Sequence, residues 1–440
     1  MLPPIPSATQ PARPAPWGAA RRRAPLAKAV APNRIVVTAM AVLSLVVGLT
    51  ACLKIQLLGE LYVAELLLPV AALIAVTRPR RENYLSTGFF RFLAIASVLV
   101  VVGYVFSDIV RGTAPNDAWR GFGRGLILVS NFVSLAIITA QDRRNFWWFV
   151  VGFGLGGLLY LRFIVDLSFT IWKHGMGQSR GYSLYVVPLC AALAWLVPLR
   201  VAALGFVALA GYSAHFDFRT FSVLCVAIAG MLWLRGGDTP GQVRKVRPGL
   251  VVAAAVVGAL VAGAVSYALS YRNDEVSSRR AYSNEMRWYG SVLGVTAIQL
   301  SPVIGWGSWN DGPEFQEVQR VANQTFDLTE HTEQYAAATY LIHSQLLQAW
   351  AEGGFLAAIF FLTLFIEGLR RMTFAVLARP IDPLTPILLY FVVLGLFNLI
   401  GAPFSATMRL DIAFMALALA VLAGDAAAAR AAAAPRRARA

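Results

Sequence analysis

The stretch GFFRFLAIASVLVVVGYVF, residues 88–106, decides the fold class of this chain. It holds one charged residue, Arg91, near its start, and it has about the 20 residues that a helix needs to cross the hydrocarbon core of a bilayer. Runs of the same kind recur along the whole sequence. The pattern therefore predicts a chain that crosses a membrane many times.

The composition of the 440 residues supports the same interpretation. Hydrophobic residues make up 58% of the chain, charged residues only 14%, and the mean hydropathy is +0.62. A soluble protein of this length needs more polar surface to cover its core, so we expect an integral membrane protein. The three cysteines, Cys52, Cys190 and Cys225, lie in apolar stretches and predict small buried side chains rather than a disulfide framework.

Twelve apolar runs approach the length of a membrane-spanning helix, of which the seventh is the shortest. They lie at about residues 35–53, 57–76, 88–107, 124–140, 146–165, 182–198, 200–214, 218–234, 248–270, 354–369, 383–401 and 409–424. We expect an all-α polytopic membrane protein, with a large and mainly helical loop between the ninth and tenth spans. The predicted segments are a tail (1–34), nine spans (35–270), the loop (271–353), three spans (354–425) and an Ala/Arg tail (426–440).

The placement of lysine and arginine predicts the orientation, because cytoplasmic loops are enriched in both. With the N-terminus in the cytoplasm, most of the 38 basic residues fall on the cytoplasmic side and most of the 23 acidic residues fall outside. The net charge of +15 then reflects topology, and no nucleic-acid partner is expected. Both tails are predicted to be cytoplasmic, and residues 1–34, rich in Pro, Ala and Arg, read as a disordered tail rather than a signal peptide.

The outer side also receives histidines and arginines. All four histidines fall there, namely His174, His215, His331 and His343. Outer arginines oppose the positive-inside bias and indicate an anionic ligand such as phosphate. Each one alone can instead anchor at lipid head groups or pair with an acidic loop residue. The arginines concerned are Arg111, Arg120, Arg124, Arg180, Arg219, Arg272, Arg279, Arg280, Arg287, Arg320 and Arg409.

The stretch YLIHSQLLQAWAEGGFLA, residues 340–357, has a histidine and a glutamate at the edge of an apolar run. At about 100° per residue it predicts a helix with His343, Gly354 and Ala357 on one face and Glu352 on the opposite face. The two small residues allow a neighbouring helix to approach closely. His343 is interpreted either as a polar contact between helices or as a general base, because imidazole accepts a proton near neutral pH.

A second outer stretch, residues 279–309, reads RRAYSNEMRWYGSVLGVTAIQLSPVIGWGSW. Arg287 opens a moderately apolar helix that Pro302 ends, and a turn with Gly305 and Gly307 follows. The alternative to a ligand site is an amphipathic helix on the membrane surface.

A third stretch, residues 213–224, reads SAHFDFRTFSVL and puts Arg219 at the outer mouth of the eighth span. Its alternative role is an interfacial anchor paired with Asp217.

Together these stretches resemble the O-antigen ligase and polymerase superfamily, GT-C-type glycosyltransferases of the bacterial envelope. The family pattern of an arginine, about fifteen residues and then P-x-x-G-x-G is similar to Arg287, Pro302, Gly305 and Gly307. The arginine that the ligases carry at a membrane mouth, followed by Ser or Thr, resembles Arg219.

The family signature H-[NSQ]-x9-G resembles His343, Ser344 and Gly354. The position that closes this signature is usually Gly, Thr or Tyr and is Ala357 here. Twelve spans with the large outer loop between the ninth and tenth are also similar to the ligases, so the resemblance in architecture covers about residues 35–425.

The resemblance implies a transfer of O-antigen glycan from undecaprenyl pyrophosphate to a hydroxyl of the lipid A–core oligosaccharide, at the periplasmic face of the inner membrane. Pyrophosphate leaves without a proton, so the reaction needs cations on the phosphates and one base on the attacking hydroxyl. Arg219 and Arg287 are the expected phosphate ligands and His343 the expected base. Arg280 and Arg180 are further candidates for the phosphate site.

Direct attack with one base predicts inversion at the anomeric carbon. The outer loops contain no D-x-D motif, and no metal or other cofactor is expected. The expected partners are the polyprenyl-linked donor, the lipid A–core acceptor and membrane lipids.

Other functions remain open from the sequence. An O-antigen polymerase, or a ligase that glycosylates protein, shares the donor and differs only in the acceptor. A polytopic transporter or lipid flippase is the alternative of another class, and it should carry ionisable residues deep in several spans. Glu65 and Arg162 are the residues that favour it.

Overall fold

Thirteen α-helices make up most of the part of the chain that the structure describes. The computed structural model describes residues 38–56, 60–165, 181–216, 218–235, 274–326, 342–377 and 382–437. The helices are α1 (Ala39–Leu49), α2 (Val63–Val76), α3 (Gly88–Arg111), α4 (Pro115–Gln141), α5 (Arg144–Leu159), α6 (Ser183–Leu193), α7 (Leu199–His215), α8 (Arg219–Arg235), α9 (Asp274–Leu300), α10 (Pro313–Phe326), α11 (Gln345–Leu377), α12 (Thr385–Gly401) and α13 (Arg409–Arg437). The predicted all-α class is confirmed for these residues.

Among the described residues, five helical segments are long and apolar enough to cross a membrane, as a membrane protein requires. They are Gly88–Arg111, Pro115–Gln141, Arg144–Ile164, Gln345–Val376 and Arg409–Ala431. The other predicted spans in the described residues coincide with shorter helices, and the ninth, residues 248–270, lies outside those residues. The number of twelve spans therefore stays a prediction.

One short antiparallel hairpin accompanies the helices. Its strands are β1 (Lys54–Gln56) and β2 (Glu60–Tyr62), with Lys54 opposite Tyr62. The second predicted span was expected to begin at residue 57, but helix α2 begins only after β2. Glu65 sets this start, because its Oε2 accepts the N–H of Tyr62 at 3.0 Å and so caps the first turn.

Helix α4 connects the two ends of the bundle, because Arg124 lies near its start and Arg143 follows its end. At one end Arg124 of α4 donates to the carbonyl oxygen of Phe404, between α12 and α13, at 3.0 Å. At the same end Ser344, which precedes α11, donates to the carbonyl oxygen of Leu399 near the end of α12 at 2.7 Å. We call this end the motif end, since the glycine turn and His343 lie here.

Arg143 holds helices together at the opposite end of the bundle. Its guanidinium lies 2.7 Å from a carboxylate oxygen of Glu82, 2.7 Å from one of Asp425 and 3.7 Å from one of Asp382. Burial alone lowers the pKa of Arg143, but the hydrogen bonds to Glu82 and Asp425 outweigh burial and raise it. The arginine therefore stays charged and joins segments before α3, before α12 and within α13.

A buried ion pair joins α2 to the start of α13. The guanidinium of Arg409 donates from Nε to Oε1 of Glu65 at 3.0 Å and from Nη2 to Oε2 at 2.7 Å. Asn131 of α4 donates to the same Oε1 at 3.1 Å. The side chains of Arg409 and Glu65 are 6% and 1% exposed. Both charges are thus fully compensated inside the bundle, where an unpaired charge would be costly.

We expect Arg409→Met to lower the free energy of unfolding by about 3–5 kcal/mol, because it leaves the Glu65 carboxylate buried without its cation. Replacing both residues, as Glu65→Leu with Arg409→Met, should recover most of the loss, since no uncompensated charge remains. The measurement is thermal unfolding of the purified protein in detergent. A double variant no more stable than Arg409→Met would contradict this interpretation of the pair.

Candidate functional site

The glycine turn that follows α9 is hydrogen-bonded to the first part of α11. The N–H of Trp306 donates to the carbonyl oxygen of Ala351 at 2.8 Å, and the N–H of Gly307 donates to that of Glu352 at 3.0 Å. In the other direction, the N–H of Phe355 donates to the carbonyl oxygen in residue 303 at 3.1 Å. The two sequence motifs, whose bonded residues Trp306 and Ala351 are 45 positions apart along the chain, therefore meet through their backbones.

This contact requires glycine on both sides. A Cβ on Gly305 would lie 2.6 Å from the carbonyl oxygen of Glu352 and 2.6 Å from the N of Gly354. A Cβ on Gly354 would overlap the carbonyl oxygen of Val303. Both glycines also have positive φ, 83° and 66°, which favours glycine over any other residue.

Gly354 kinks α11 and separates its first turns from the rest of the helix. Its φ of 66° and ψ of −163° are non-helical. The first part, residues 345–353, is called the α11 stub below. Beyond the kink, α3 packs closely: a Cβ on Gly103 would lie 2.6 Å from the carbonyl oxygen of Gly353 and 2.9 Å from the N of Ala357. The expected close helix approach at Ala357 is confirmed, whereas Gly354 meets the glycine turn.

His343 lies just before α11 rather than within it. We expected a helix from Tyr340 onward, but the described helix begins at Gln345. Ser344 starts it, because its Oγ accepts the N–H of Leu347 at 3.2 Å and so caps the first turn. His343 and Ala357 therefore do not share a helix face as predicted, because the helix begins after His343 and is kinked at Gly354.

A small apolar core joins α9 and α10 to the α11 stub. A Cβ on Gly294 of α9 would lie 2.9 Å from Cγ2 of Ile342 and 3.1 Å from Cβ of Leu347. The buried members of this core are Tyr289, Val292, Leu293, Ala297, Trp306, Phe315, Val318, Ala322, Ile342 and Ala351. Because Ile342 immediately precedes His343, α9 lies against the segment that carries the histidine.

The end of α3 holds the glycine turn from the other side. The N–H of Gly307 donates to Oγ of Ser107 at 2.8 Å. Asp108 accepts the N–H of Ser308 at 2.6 Å on Oδ1 and its hydroxyl at 2.9 Å on Oδ2. Both carboxylate oxygens of this buried aspartate are thus used to fix the turn.

Arg111, the last residue of α3, clamps the same turn. Its Nε donates to the carbonyl oxygen of Gly305 at 2.9 Å and its Nη2 to Oγ of Ser301 at 2.8 Å. Its guanidinium also lies 4.4 Å from the ring centre of Trp306 and pairs with Glu314 of α10 at 3.1 Å. The arginine is fully engaged with protein groups, so it is a positioning residue and not a free anion ligand.

Glu352, on the α11 stub, pairs with Arg124 of α4 inside the bundle. The guanidinium donates from Nη2 to Oε2 of Glu352, and the two side chains are 3% and 0% exposed. Gln348 donates to the other carboxylate oxygen at 3.0 Å and accepts the N–H of Phe404 at 2.6 Å. The glutamate at the edge of the apolar run thus anchors the stub to α4 and to the segment before α13.

Three aromatic rings surround the Arg124 guanidinium. The ring centres of Phe404, Tyr104 and Trp309 lie 4.8, 4.9 and 5.2 Å from its central carbon. Trp309 has a φ of 55°, which is strained for a bulky residue. Cation–π contacts of this kind stabilise a buried guanidinium, and here they tie the residues after the glycine turn to α4.

Arg287 lies on α9, the helix whose Gly294 meets Ile342. It precedes Gly294 by two helical turns, so it is on the same face and about 10 Å further from the turn. Its side chain is exposed, and it makes no ion pair with the residues that the structure describes. The helix ends at Leu300, just before Pro302, as the sequence predicts.

Arg219 is the first residue of α8 and lies at the motif end. At the other end of α8, Arg235 donates to the carbonyl oxygens of Ala375 and Val376, at 3.1 and 2.9 Å, where α11 ends. Helix α8 also packs against α12, whose Leu399 accepts the hydroxyl of Ser344. Arg219 and the segment with His343 are thus at the same end of the bundle.

The remaining outer arginines divide into paired residues and residues that are not described. Arg120 pairs with Asp117 at 3.2 Å, and Arg320 pairs with Glu317. The hydrogen bond from Arg320 lowers the pKa of Glu317, so this surface pair stays ionised. Arg180 lies outside the described residues, and the side chain of Arg280 on α9 is likewise outside what the structure describes.

The sequence did not single out Ser107 and Asp108, and it grouped Arg111 with the candidate anion ligands rather than with the groups that hold the turn. One signal was present: Asp108 and Arg111 end an otherwise apolar span, where charged residues need partners. Their partner could not be predicted, because the glycine turn is about 190 residues further along the chain.

A comparison of the chain with family models, curated proteins and solved structures finds no match.

Gly354→Ala is expected to destabilise the protein and to disrupt the motif end, because the new methyl group meets the backbone of residue 303. Gly112 offers a matched control: it also has a positive φ, 60°, but a Cβ there meets no atom within 4 Å. Gly112→Ala should cost only the backbone strain, about 1–2 kcal/mol. Thermal unfolding of both variants measures the difference. Equal losses would show that the turn does not need the close contact.

Proposed function

We propose that this protein is an O-antigen ligase of the bacterial inner membrane. It would transfer the O-antigen glycan from undecaprenyl pyrophosphate to a hydroxyl of the lipid A–core oligosaccharide and so complete lipopolysaccharide. The observation that carries the proposal is the mutual packing of Gly305 and Gly354 at the motif end. This contact joins the two motifs that resemble the family and brings α9, with Arg287, against the segment with His343.

The charges at the motif end support a site for a diphosphate. Arg111, Arg124 and Arg409 are engaged with protein acceptors and hold the bundle together. Arg287 remains exposed and without an ion pair among the described residues. A guanidinium grips phosphate with two hydrogen bonds and stays charged at every working pH, so Arg287, with Arg219 at the same end, suits the leaving pyrophosphate.

His343 is the proposed general base. It would take the proton from the acceptor hydroxyl as that oxygen attacks the anomeric carbon of the first donor sugar. The bond from this carbon to the pyrophosphate oxygen breaks, and the electron pair leaves with the phosphate, which the arginines stabilise. One displacement inverts the anomeric configuration. No protein carboxylate and no metal ion is needed in this scheme.

The proposed orientation places both termini in the cytoplasm and the motif end in the periplasm, where the acceptor is completed. The positive-inside rule favours this assignment. A proton-coupled transporter is less favoured, because Glu65 is engaged on both oxygens by Arg409, Asn131 and the N–H of Tyr62.

We expect His343→Ala to lower ligation by about 10²–10⁴-fold, the usual contribution of a general base, while the protein still folds and inserts. The assay is complementation of a strain that lacks its own ligase, with lipopolysaccharide separated on a gel. If the unaltered protein restores the ladder of glycan chains attached to lipid A–core, the result supports ligation. Restored chain lengthening without attachment would assign the protein as a polymerase, and near-normal ladders from His343→Ala would remove the base assignment.

Arg287→Ala should lower ligation about ten- to a hundredfold, because a hydrogen-bonded charge on the leaving group is lost. Arg287→Lys should recover only part of this activity, since an ammonium cannot make the planar two-bond contact. The matched control is Arg320→Ala, which removes an exposed arginine of α10 that already pairs with Glu317. The control should ligate normally. If Arg287→Ala also does, the phosphate role of Arg287 is wrong.

A further inference from the structure

Gln345, the first residue of α11, has a side-chain amide that is buried and has no hydrogen-bond partner. The residue is 0% exposed, and neither Nε2 nor Oε1 meets a donor or acceptor among the residues that the structure describes. Buried polar groups are nearly always satisfied, because leaving them without a partner destabilises the folded state. An exception next to a candidate catalytic residue therefore calls for a functional explanation.

At the same end of α11, two backbone N–H groups have no acceptor among the described residues. Ser344 satisfies the third and fourth N–H groups: its Oγ accepts that of Leu347 at 3.2 Å and its carbonyl oxygen accepts that of Gln348 at 2.8 Å. The N–H groups of Gln345 and Leu346 come before them and have no acceptor among the described residues. Such a helix N-terminus favours a ligand oxygen.

The chemistry of the free groups distinguishes between possible ligands. The Gln345 amide offers a donor, Nε2, and an acceptor, Oε1, and both are unused. A phosphate has only acceptor oxygens at neutral pH and would leave Oε1 unsatisfied. A sugar hydroxyl both donates and accepts, and neighbouring hydroxyls on one ring can satisfy the amide together with a backbone N–H.

We infer that the start of α11 is a hydroxyl-binding subsite for the acceptor sugar, formed by the Gln345 amide and the N–H groups of Gln345 and Leu346. This inference rests on the proposed function. Gln345 follows His343 by two residues, so a sugar held here would present a neighbouring hydroxyl to the base. Gln345 is then a residue that selects and orients the acceptor, while Arg287 and Arg219 bind the donor.

Gln348 provides a matched comparison on the same stub. It is also buried, 1% exposed, but both ends of its amide are hydrogen-bonded, to Glu352 at 3.0 Å and to the N–H of Phe404 at 2.6 Å. Methionine has a similar length and no hydrogen-bonding amide. Gln348→Met should lower the unfolding temperature, because it leaves Glu352 and the Phe404 N–H without a partner. Gln345→Met should leave the temperature equal or raise it, because it removes an unsatisfied group.

The decisive experiment combines that stability measurement with transfer kinetics of the full-length protein in detergent or nanodiscs. The probes are purified undecaprenyl pyrophosphate-linked glycan and purified lipid A–core, each varied separately. Gln345→Met is expected to raise the KM for lipid A–core about tenfold, as the loss of a good hydrogen bond does, with a smaller change in kcat and in the KM for the donor.

Each result decides for or against the subsite. A destabilised Gln345→Met would mean that the amide has a structural partner, such as a bound water, and would overturn the inference. So would an unchanged KM for lipid A–core, or a rise confined to the donor KM. If the unaltered protein transfers no glycan at all, the proposed function fails separately. The subsite is then judged by whether lipid A–core raises the unfolding temperature of the unaltered protein and not that of Gln345→Met.

Discussion

The motif end depends on one backbone contact, between the glycine turn and the kink in α11. The N of Gly354 and the Cβ position of Gly305 are so close that no side chain fits on either residue. The contact fixes how the segment after α9 meets the α11 stub. The hydrogen bond from Ser344 to Leu399 of α12 then holds the start of the stub, next to His343.

Three charged side chains stabilise this contact, two from the end of α3 and one from α4. Asp108 fixes the turn from α3, Arg111 binds its carbonyl oxygen, and Arg124 holds the stub through Glu352. In a bilayer such groups are tolerated only when each charge has a partner, and that requirement makes them specific connections between distant parts of the chain. The arginines at the motif end thus have two kinds of role. Some hold the scaffold together, whereas Arg287 is exposed and is the proposed phosphate ligand.

The sequence predicted the apolar helices well, because hydropathy over about 20 residues depends on local composition alone. It also predicted that the helix with Arg287 ends at Pro302. It did not predict the start of α11, because the cap at Ser344 depends on the neighbouring α12. It also did not predict the kink in α11, because the positive φ of Gly354 depends on its contact with the glycine turn. The sequence also did not predict the partners of Arg124 and Asp108, because each partner lies about 200 residues or more away along the chain.

A structure of the protein with undecaprenyl pyrophosphate bound tests the central claim most directly. The proposed site predicts the diphosphate at the motif end, with its oxygens about 2.7–2.9 Å from the guanidinium nitrogens of Arg287 and Arg219. It also predicts the carbon that bears the leaving group on the side of His343. A diphosphate bound at the opposite end, near Arg143, or at the motif end but away from these arginines, would contradict the account.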